Sequence, residues 1–424
     1  MHTASRNGTL SVAVVCGVLV CLLLPSVCRS APLTNGLYAA FDTSMGSFTA
    51  RLDYAEAPLT VANFIGLAEG SRAWYEEGVG IPRHDPFYDG TLVNRIAVLD
   101  GAGTRIVQTG SRNGTNSGGG PGYTFRDEFS PRLRHDRPGI MSMANSGKNS
   151  NGSQYFFALG ALPHLDDVHS VFGEVIYGLD VLTNISLVPL EGGRPVSNVV
   201  FEKISILRVG QEASGFAVTG LGLPVVTSLP LRITMTDEQA FARLDYPART
   251  NGQYVFCTSA TVRDLAIEQS AWSTDIPVSS SRYCSATSSA AFYAVTRVDY
   301  ADPLYVPANA HGYRITDTGN EFDLYLDSVA NTGMAYFASG SITGHIQYWS
   351  WTPDAYRSRL WLVHGNLTLP FSDFTLCFTQ AVVNSYDWTL RTAGGDIVNQ
   401  FSGTFTCASN TVPSYGNASI KTGQ

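Results

Sequence analysis

Charge is scarce in this chain. Asp, Glu, Lys and Arg make up 15% of its 424 residues, and lysine occurs only at Lys148, Lys203 and Lys421. With 27 basic against 35 acidic residues the formal net charge is −8, so there is no basic footprint for a phosphate backbone and nucleic acid is excluded as a partner. The preference for Arg over Lys reads as codon bias. Cysteine is missing from the whole stretch between Cys28 and Cys257. The eight histidines are scattered without ligand spacing, so neither a metal nor a cofactor is expected. The glycine-rich run Gly118 to Gly122 has no Lys-Ser or Lys-Thr after it, which excludes a phosphate-cradling nucleotide loop. A hydrophobic content of 44% excludes a disordered chain.

What is present begins with an address. Arg6, an uncharged apolar run from Leu10 to Leu24 and small residues around Ser26 to Ala31 follow the order of a secretory signal peptide over residues 1–31. The apolar run is shorter than the roughly 20 residues of a spanning helix, so the expectation is export to a periplasmic or secreted location, with no membrane anchor after cleavage. In an oxidising compartment Cys257, Cys284, Cys377 and Cys407 are candidate disulfide partners, with Cys257–Cys284 and Cys377–Cys407 favoured because each pair brackets a hairpin-sized unit. The competing reading is four buried free thiols.

At this length two domains are expected. Residues 35–209 mix alternating, strand-like text with a helical stretch from Pro58 to Glu69, in which Val61, Phe64, Ile65 and Ala68 recur at helical spacing and Gly70 suits the end. Residues 210–224 carry the small residues and proline of a linker. Residues 225–420 hold short alternating runs such as FDLYLD, where Phe322, Leu324 and Leu326 share a face, and five of the six tryptophans. The class predicted there is an all-β sandwich or barrel. Its tryptophans, including Trp349 and Trp351, are read first as packed core, with a surface for a glycan or protein ligand as the alternative.

Five blocks then align in order: TVANFIGLAEG (60–70), PFYDGTLVNRI (86–96), GGPGYTFRDEF (119–129), RPGIMSMANSGKNSNGSQYFF (137–157) and LDDVHSVFGEVIYGLDVL (165–182). Together they resemble a cyclophilin-type peptidyl-prolyl cis-trans isomerase over roughly Leu37 to Val209. The resemblance implies a mainly β fold, an eight-stranded antiparallel barrel with two helices, whose outer face binds proline-containing polypeptides and catalyses rotation about X-Pro bonds.

By that resemblance Arg95 is the catalytic residue. Its guanidinium would donate toward the prolyl nitrogen, which regains a lone pair in the twisted transition state. Gln108 would orient it. Ile106, Phe156, Leu165 and His169 would form the pocket and rim. Ala144, Asn145, Ser146 and Gln154 would clamp the peptide backbone, the small side chains of the first three allowing close approach. Gln154 is expected to begin the strand that carries Phe156.

The sequence also departs from the family. Five extra residues separate Arg95 from Gln108, and Arg105 stands where relatives carry an aromatic of the pocket wall, unless the insertion brings another residue there. His164 replaces a Trp or Phe. The alternative to the enzyme is therefore a catalytically weak module that binds proline peptides or proteins. Ser153, Asp166 and His169 have the residue types of a hydrolase triad but no nucleophile elbow. Asn113, Asn151, Asn184, Asn366 and Asn417 satisfy the glycan acceptor pattern, which matters only in a host that glycosylates.

Overall fold

The structure is a computed structural model that describes residues 33–76, 78–235, 241–247, 252–259, 266–273, 281–285 and 292–300, together with eight strands between 313 and 409. The expected signal peptide and the acceptor sites Asn366 and Asn417 lie outside the described residues.

The first half is a curled antiparallel sheet. Its strands are β1 (Gly36–Thr43), β2 (Gly46–Leu52), the short pair β3 (Trp74–Tyr75) and β4 (Pro82–Arg83), β5 (Thr91–Leu92), β6 (Arg95–Val98), β7 (Arg105–Thr109), β8 (Ile140–Met143), β9 (Tyr155–Ala158), β10 (Val171–Tyr177), the hairpin β11 (Leu190–Glu191) and β12 (Arg194–Pro195), and β13 (Val200–Val209). Nine of them run in the order β5-β13-β1-β2-β10-β8-β9-β7-β6. The two outermost members, β5 and β6, are separated in sequence only by Val93 and Asn94. Both edges of the sheet are thus successive pieces of one strand, which forces the sheet to close on itself and makes an eight-stranded barrel in effect.

Alternation fills the interior. Phe41, Phe48, Tyr155, Phe157, Phe172 and Phe201 point inward. Phe41 and Phe48 stack at 4.5 Å, and Phe48 meets Phe157 edge-on at 5.2 Å, the offset and edge geometries that aromatic quadrupoles prefer. Burying each such ring stabilises the fold by roughly 1.5–3 kcal/mol.

Helix α1 (Pro58–Glu69) packs against β13, and α2 (Leu179–Ser186) packs against β2 and β7. Helix α1 has the expected bounds, with Pro58 in its first turn and Gly70 in the left-handed C-terminal position at φ 69°. Its N-terminus has no local side-chain cap. Glu128 supplies one from a distance, accepting from the main-chain N–H of Leu59 and Thr60 and from the Thr60 hydroxyl at 2.7–3.0 Å.

Residues 210–224, expected as a linker, run along the barrel. The one-turn α3 (Gln211–Ser214) opens the stretch, Ala213 and Leu223 are buried in the barrel core, and Phe216 meets Tyr54 at 5.4 Å. Beyond it, β14 (Val225–Ser228), β17 (Gly252–Ser259), β18 (Ala266–Ser273) and β20 (Phe292–Asp299) form a four-stranded sheet. A three-stranded sheet of β15 (Arg232–Met235), β16 (Phe241–Asp245) and β19 (Ser281–Ser285) accompanies it. The eight strands from Tyr313–Asp317 to Ile397–Ser409 close a second barrel, with Ile315, Leu324, Leu326, Leu360 and Leu362 buried. Leu324 and Leu326 fall on the expected inner face.

The expected cysteine pairs do not fit this topology. Cys257 is a free thiol buried on β17, whereas Cys284 belongs to β19 in a different sheet. Cys377 and Cys407 lie on strands Phe371–Cys377 and Ile397–Ser409, with strand Val383–Arg391 paired between them. Two strands on either side of a third are about 9.5 Å apart. A disulfide needs Cα atoms within about 7 Å.

Candidate active site

The site is built on the outer surface of three neighbouring strands, β6, β7 and β9. Because side chains alternate, Val107 and Thr109 on β7 face inward while Ile106 and Gln108 face out, and on β9 Phe156 faces out between the inward Tyr155 and Phe157. Arg95 on β6 is the direct cross-strand partner of Gln108. The result is a groove of ≈ 400 Å³ lined by Arg95, Leu99, Ile106, Gln108, Asn116, Ala144, Asn145, Phe156, Leu165 and His169.

Eight of the ten residues picked out in the sequence therefore line one cavity. The other two, Ser146 and Gln154, line an adjoining chamber of ≈ 190 Å³ that shares Gln108, Asn116, Ala144 and Asn145 with the first.

The floor is apolar and held from both sides. Phe156 is 3% exposed and packs with Ile106, Leu165 and Val171. The His135 ring stacks on it at 5.9 Å and 11°, and the His169 ring meets it edge-on at 5.6 Å. His135 is fixed in turn: its Nδ1 donates to Asp166 Oδ1 at 2.9 Å and its Nε2 lies 3.0 Å from the Ser142 hydroxyl. Burial lowers the pKa of His135, with the Asp166 carboxylate acting in the opposite sense. The ring is thus neutral at pH 7, and the Ser142 hydroxyl donates to Nε2. His169 Nδ1 donates to the Met143 carbonyl at 2.9 Å, and its pKa is lowered by burial too. A neutral His169 leaves Nε2 as an acceptor at the groove rim.

Amide side chains organise the polar wall. Arg95 Nη1 donates to Gln108 Oε1 at 3.5 Å, Gln108 Nε2 donates to Gln154 Oε1 at 2.9 Å, and Gln154 Nε2 donates to the Gly118 carbonyl at 3.1 Å. Asn94 donates to both Gln154 and Asn116. Gln154 precedes β9 rather than opening it, and its main-chain carbonyl accepts from the Ala144 N–H at 2.9 Å. The Asn/Ser/Gly-rich loop after Ala144 is held by local bonds and by bonds to distant segments. Asn145 Nδ2 donates to Val168 O, the Ser146 N–H donates to Ser150 Oγ, and Asn149, at φ 56°, exchanges bonds with Asp127.

The five-residue insertion sits outside the β6–β7 ladder, whose register runs from Arg95↔Gln108 to Val98↔Arg105. Arg105 is turned away from the groove and donates to the Ser186 carbonyl at the end of α2. Leu99, from the insertion side, lines the groove instead, so an apolar wall is kept. His164 is exposed.

Leu99, Asn116, Asn94 and the His135–Ser142–Asp166 support carry no motif that marks them in the sequence. Only the insertion itself hinted at the first. Ser153, Asp166 and His169 do not converge: Ser153 donates to the Gly110 carbonyl, Asp166 bonds His135, and His169 bonds Met143. Asn151 is fully buried, its amide donating to Asp127, which removes it from the acceptor set.

Comparison with known proteins agrees with this geometry. The family described as cyclophilin type peptidyl-prolyl cis-trans isomerase/CLD matches residues 38–209. The chain is 41% identical over 171 residues to peptidyl-prolyl cis-trans isomerase A of Mycobacterium tuberculosis (strain ATCC 25618 / H37Rv), covering 40% of this chain and 91% of that one. It is 38% identical over 178 residues to peptidyl-prolyl cis-trans isomerase B of Streptomyces anulatus, covering 41% of this chain and 98% of that one. A solved cyclophilin-type isomerase of Cryptosporidium parvum is similar over 41% of this chain and 98% of its own length, at 27% identity and a TM-score of 0.34. Through residues 38–209 the chain belongs to the cyclophilin-type peptidyl-prolyl cis-trans isomerase family.

Proposed function

We propose that the protein is a peptidyl-prolyl cis-trans isomerase that acts on proline-containing segments of exported polypeptides. The observation that carries this reading is the placement of one guanidinium, Arg95, on the wall of an apolar groove floored by Phe156. A proline ring is apolar and its nitrogen carries no hydrogen, so a groove for it needs hydrophobic walls and a donor aimed from outside.

No covalent bond breaks in the reaction. The barrier of about 18–20 kcal/mol is the lost amide resonance, and it falls when the pyramidal nitrogen of the twisted state receives a hydrogen bond that the planar state cannot. Arg95 provides that donor in a fixed fork, and Gln108 holds the fork by its amide oxygen. Ala144 and Asn145 on the groove wall and the adjoining Ser146 would hold the peptide on one side of the twist, so the other side is free to rotate. Export rests on the charge, apolar and small-residue order of residues 1–31.

The test is the cis-trans exchange rate of a short Ala-Pro peptide with the purified protein, read by exchange spectroscopy. Acceleration by the parent and its loss in Arg95→Ala are expected. A parent that binds the peptide without accelerating exchange would reduce the site to a binding module.

A further inference from the structure

The smaller chamber of the groove is walled by a loop whose backing residues pack against the C-terminal half. Gly118, Gly120, Pro121, Tyr123 and Thr124 line that chamber. The turn at Gly122 (φ +84°) lies against the Tyr75 ring so closely that a Cβ there would come within 2.3 Å of it. Tyr75 also donates its main-chain N–H to the Pro121 carbonyl at 3.1 Å. Tyr123 is tied to the neighbouring wall: its hydroxyl donates to Asn63 Oδ1 at 2.8 Å, and Asn63 Nδ2 donates to the carbonyl of Gly152, another lining residue, at 2.9 Å.

Both tyrosines are 5% exposed and pack in one cluster with Val226, Val255, Cys257 and Val298 of the four-stranded sheet and with Tyr300 just after it, while Ala73 and Ile81 of the first half pack against the same cluster. The Arg72 guanidinium lies 5.4 Å from the centre of the Tyr123 ring and donates to the carbonyl of Pro224, the residue before β14, at 3.0 Å. The groove wall, two tyrosines and the C-terminal sheet form one continuous packed path. The sheet thus covers one side of Tyr75 and Tyr123, the residues that back the glycine-rich loop.

We propose that the C-terminal four-stranded sheet is a positioning element for the smaller chamber, and so sets which residues flanking a proline the groove accepts. This rests on the isomerase-family groove binding proline peptides. Shape discrimination by a pocket depends on walls that do not yield. The sheet provides that stiffness from behind, some distance from Arg95 and Phe156.

The test uses the full chain and two substitutions in the backing cluster, Val298→Ala and the milder Cys257→Ala, neither of which touches the groove. Amide hydrogen exchange of residues 118–124 and titration with Pro peptides whose flanking residues run from Gly to Phe are measured in parallel. Binding rather than turnover is read, so a protein that binds without isomerising still decides the question, while the exchange assay above decides the activity. The expected result is faster exchange at 118–124 and a spread of affinities across the series narrowed roughly threefold or more, with affinity for the Gly-flanked peptide kept. Unchanged exchange in folded variants would overturn the brace. Faster exchange with an unchanged affinity spread would overturn its role in selection. If Val298→Ala does not fold, Cys257→Ala, which removes one sulfur from the same cluster, carries both readings.

Discussion

Arg95 and Gln108 stand directly opposite each other on adjacent antiparallel strands, and the guanidinium donates to the amide oxygen at 3.5 Å. Arg95 is half-buried at the groove wall, with Gln108 buried beside it, so the role of the arginine can be separated from the fold. Arg95→Ala is expected to lower kcat/KM by about two decades, or about 2.7 kcal/mol of transition-state stabilisation, with an unchanged Tm. Arg95→Lys keeps the charge but loses the planar fork, and should recover only a small part of the loss. Parent-like turnover in Arg95→Ala would remove the assigned mechanism.

Phe156 is both floor and core, so truncation alone cannot assign it. Phe156→Ala should cost about 3–5 kcal/mol of stability because the ring is packed between His135 and His169. Phe156→Leu keeps most of the volume and should cost less than about 1.5 kcal/mol. It nevertheless replaces the flat floor with a branched one. Weaker proline-peptide affinity in Phe156→Leu, at nearly parental Tm, is the expected result of a titration checked by melting.

The buried His135 and the half-buried His169 beside that floor give the fold a pH dependence. Burial lowers the folded pKa of both His135 and His169, against about 6.5 in the unfolded chain. As pH falls below about 6.5 the unfolded chain takes up protons that the folded chain refuses, so stability drops until the folded pKa values are passed. Asp166 is also lowered: burial pushes it up, but bonds from the His135 main chain and ring outweigh that, so its contribution is lost only in the more acidic range below its unfolded value. A Tm that falls between about pH 7 and pH 5 is expected. Its slope should be shallower in His169→Gln.

Much of this site was legible because the relevant residues come in short ordered blocks. Helix α1 was readable to its ends, since Pro58 and Gly70 act locally. Glu128 as its cap was not, because the contact spans 68 residues for Thr60. The same holds for His135, whose partner Asp166 is 31 residues away. The cysteines failed for a related reason: spacing in sequence suggested hairpin-sized units, whereas strand order placed a whole strand between Cys377 and Cys407.

That strand order makes a prediction about thiols. Cys257 is free, buried, and its pKa is pushed up to about 11 by desolvation, so it should resist alkylation in the native protein and react on denaturation. With Cys257 unpaired, at most one disulfide can form among Cys284, Cys377 and Cys407 within a chain. At least two thiols should therefore titrate in the denatured mature protein, and non-reducing peptide maps should show no Cys257–Cys284 link. A count of zero would refute this arrangement.

Leu99 tests what the insertion between Arg95 and Gln108 is for. The family resemblance implies an aromatic where this chain has Arg105, and Arg105 is committed to the Ser186 carbonyl, outside the groove. Leu99 lines the groove beside Arg95 in its stead, and the turn that follows it is fastened by Asp100, which accepts from the Ala102 and Thr104 N–H groups at 3.1 and 2.7 Å. If Leu99 replaces the missing aromatic as an apolar contact made equally in the planar and twisted states, it contributes uniform binding. Leu99→Ala should then raise KM about tenfold, the order expected for removing a few buried methyl and methylene carbons at a half-open wall, and leave kcat close to parental. Arg105→Ala should change neither constant, because its side chain points to α2, and should cost a modest loss of Tm instead. The reverse pattern, with Arg105→Ala raising KM and Leu99→Ala silent, would mean that the insertion does not remake the wall and that the charged side chain has taken the aromatic's place.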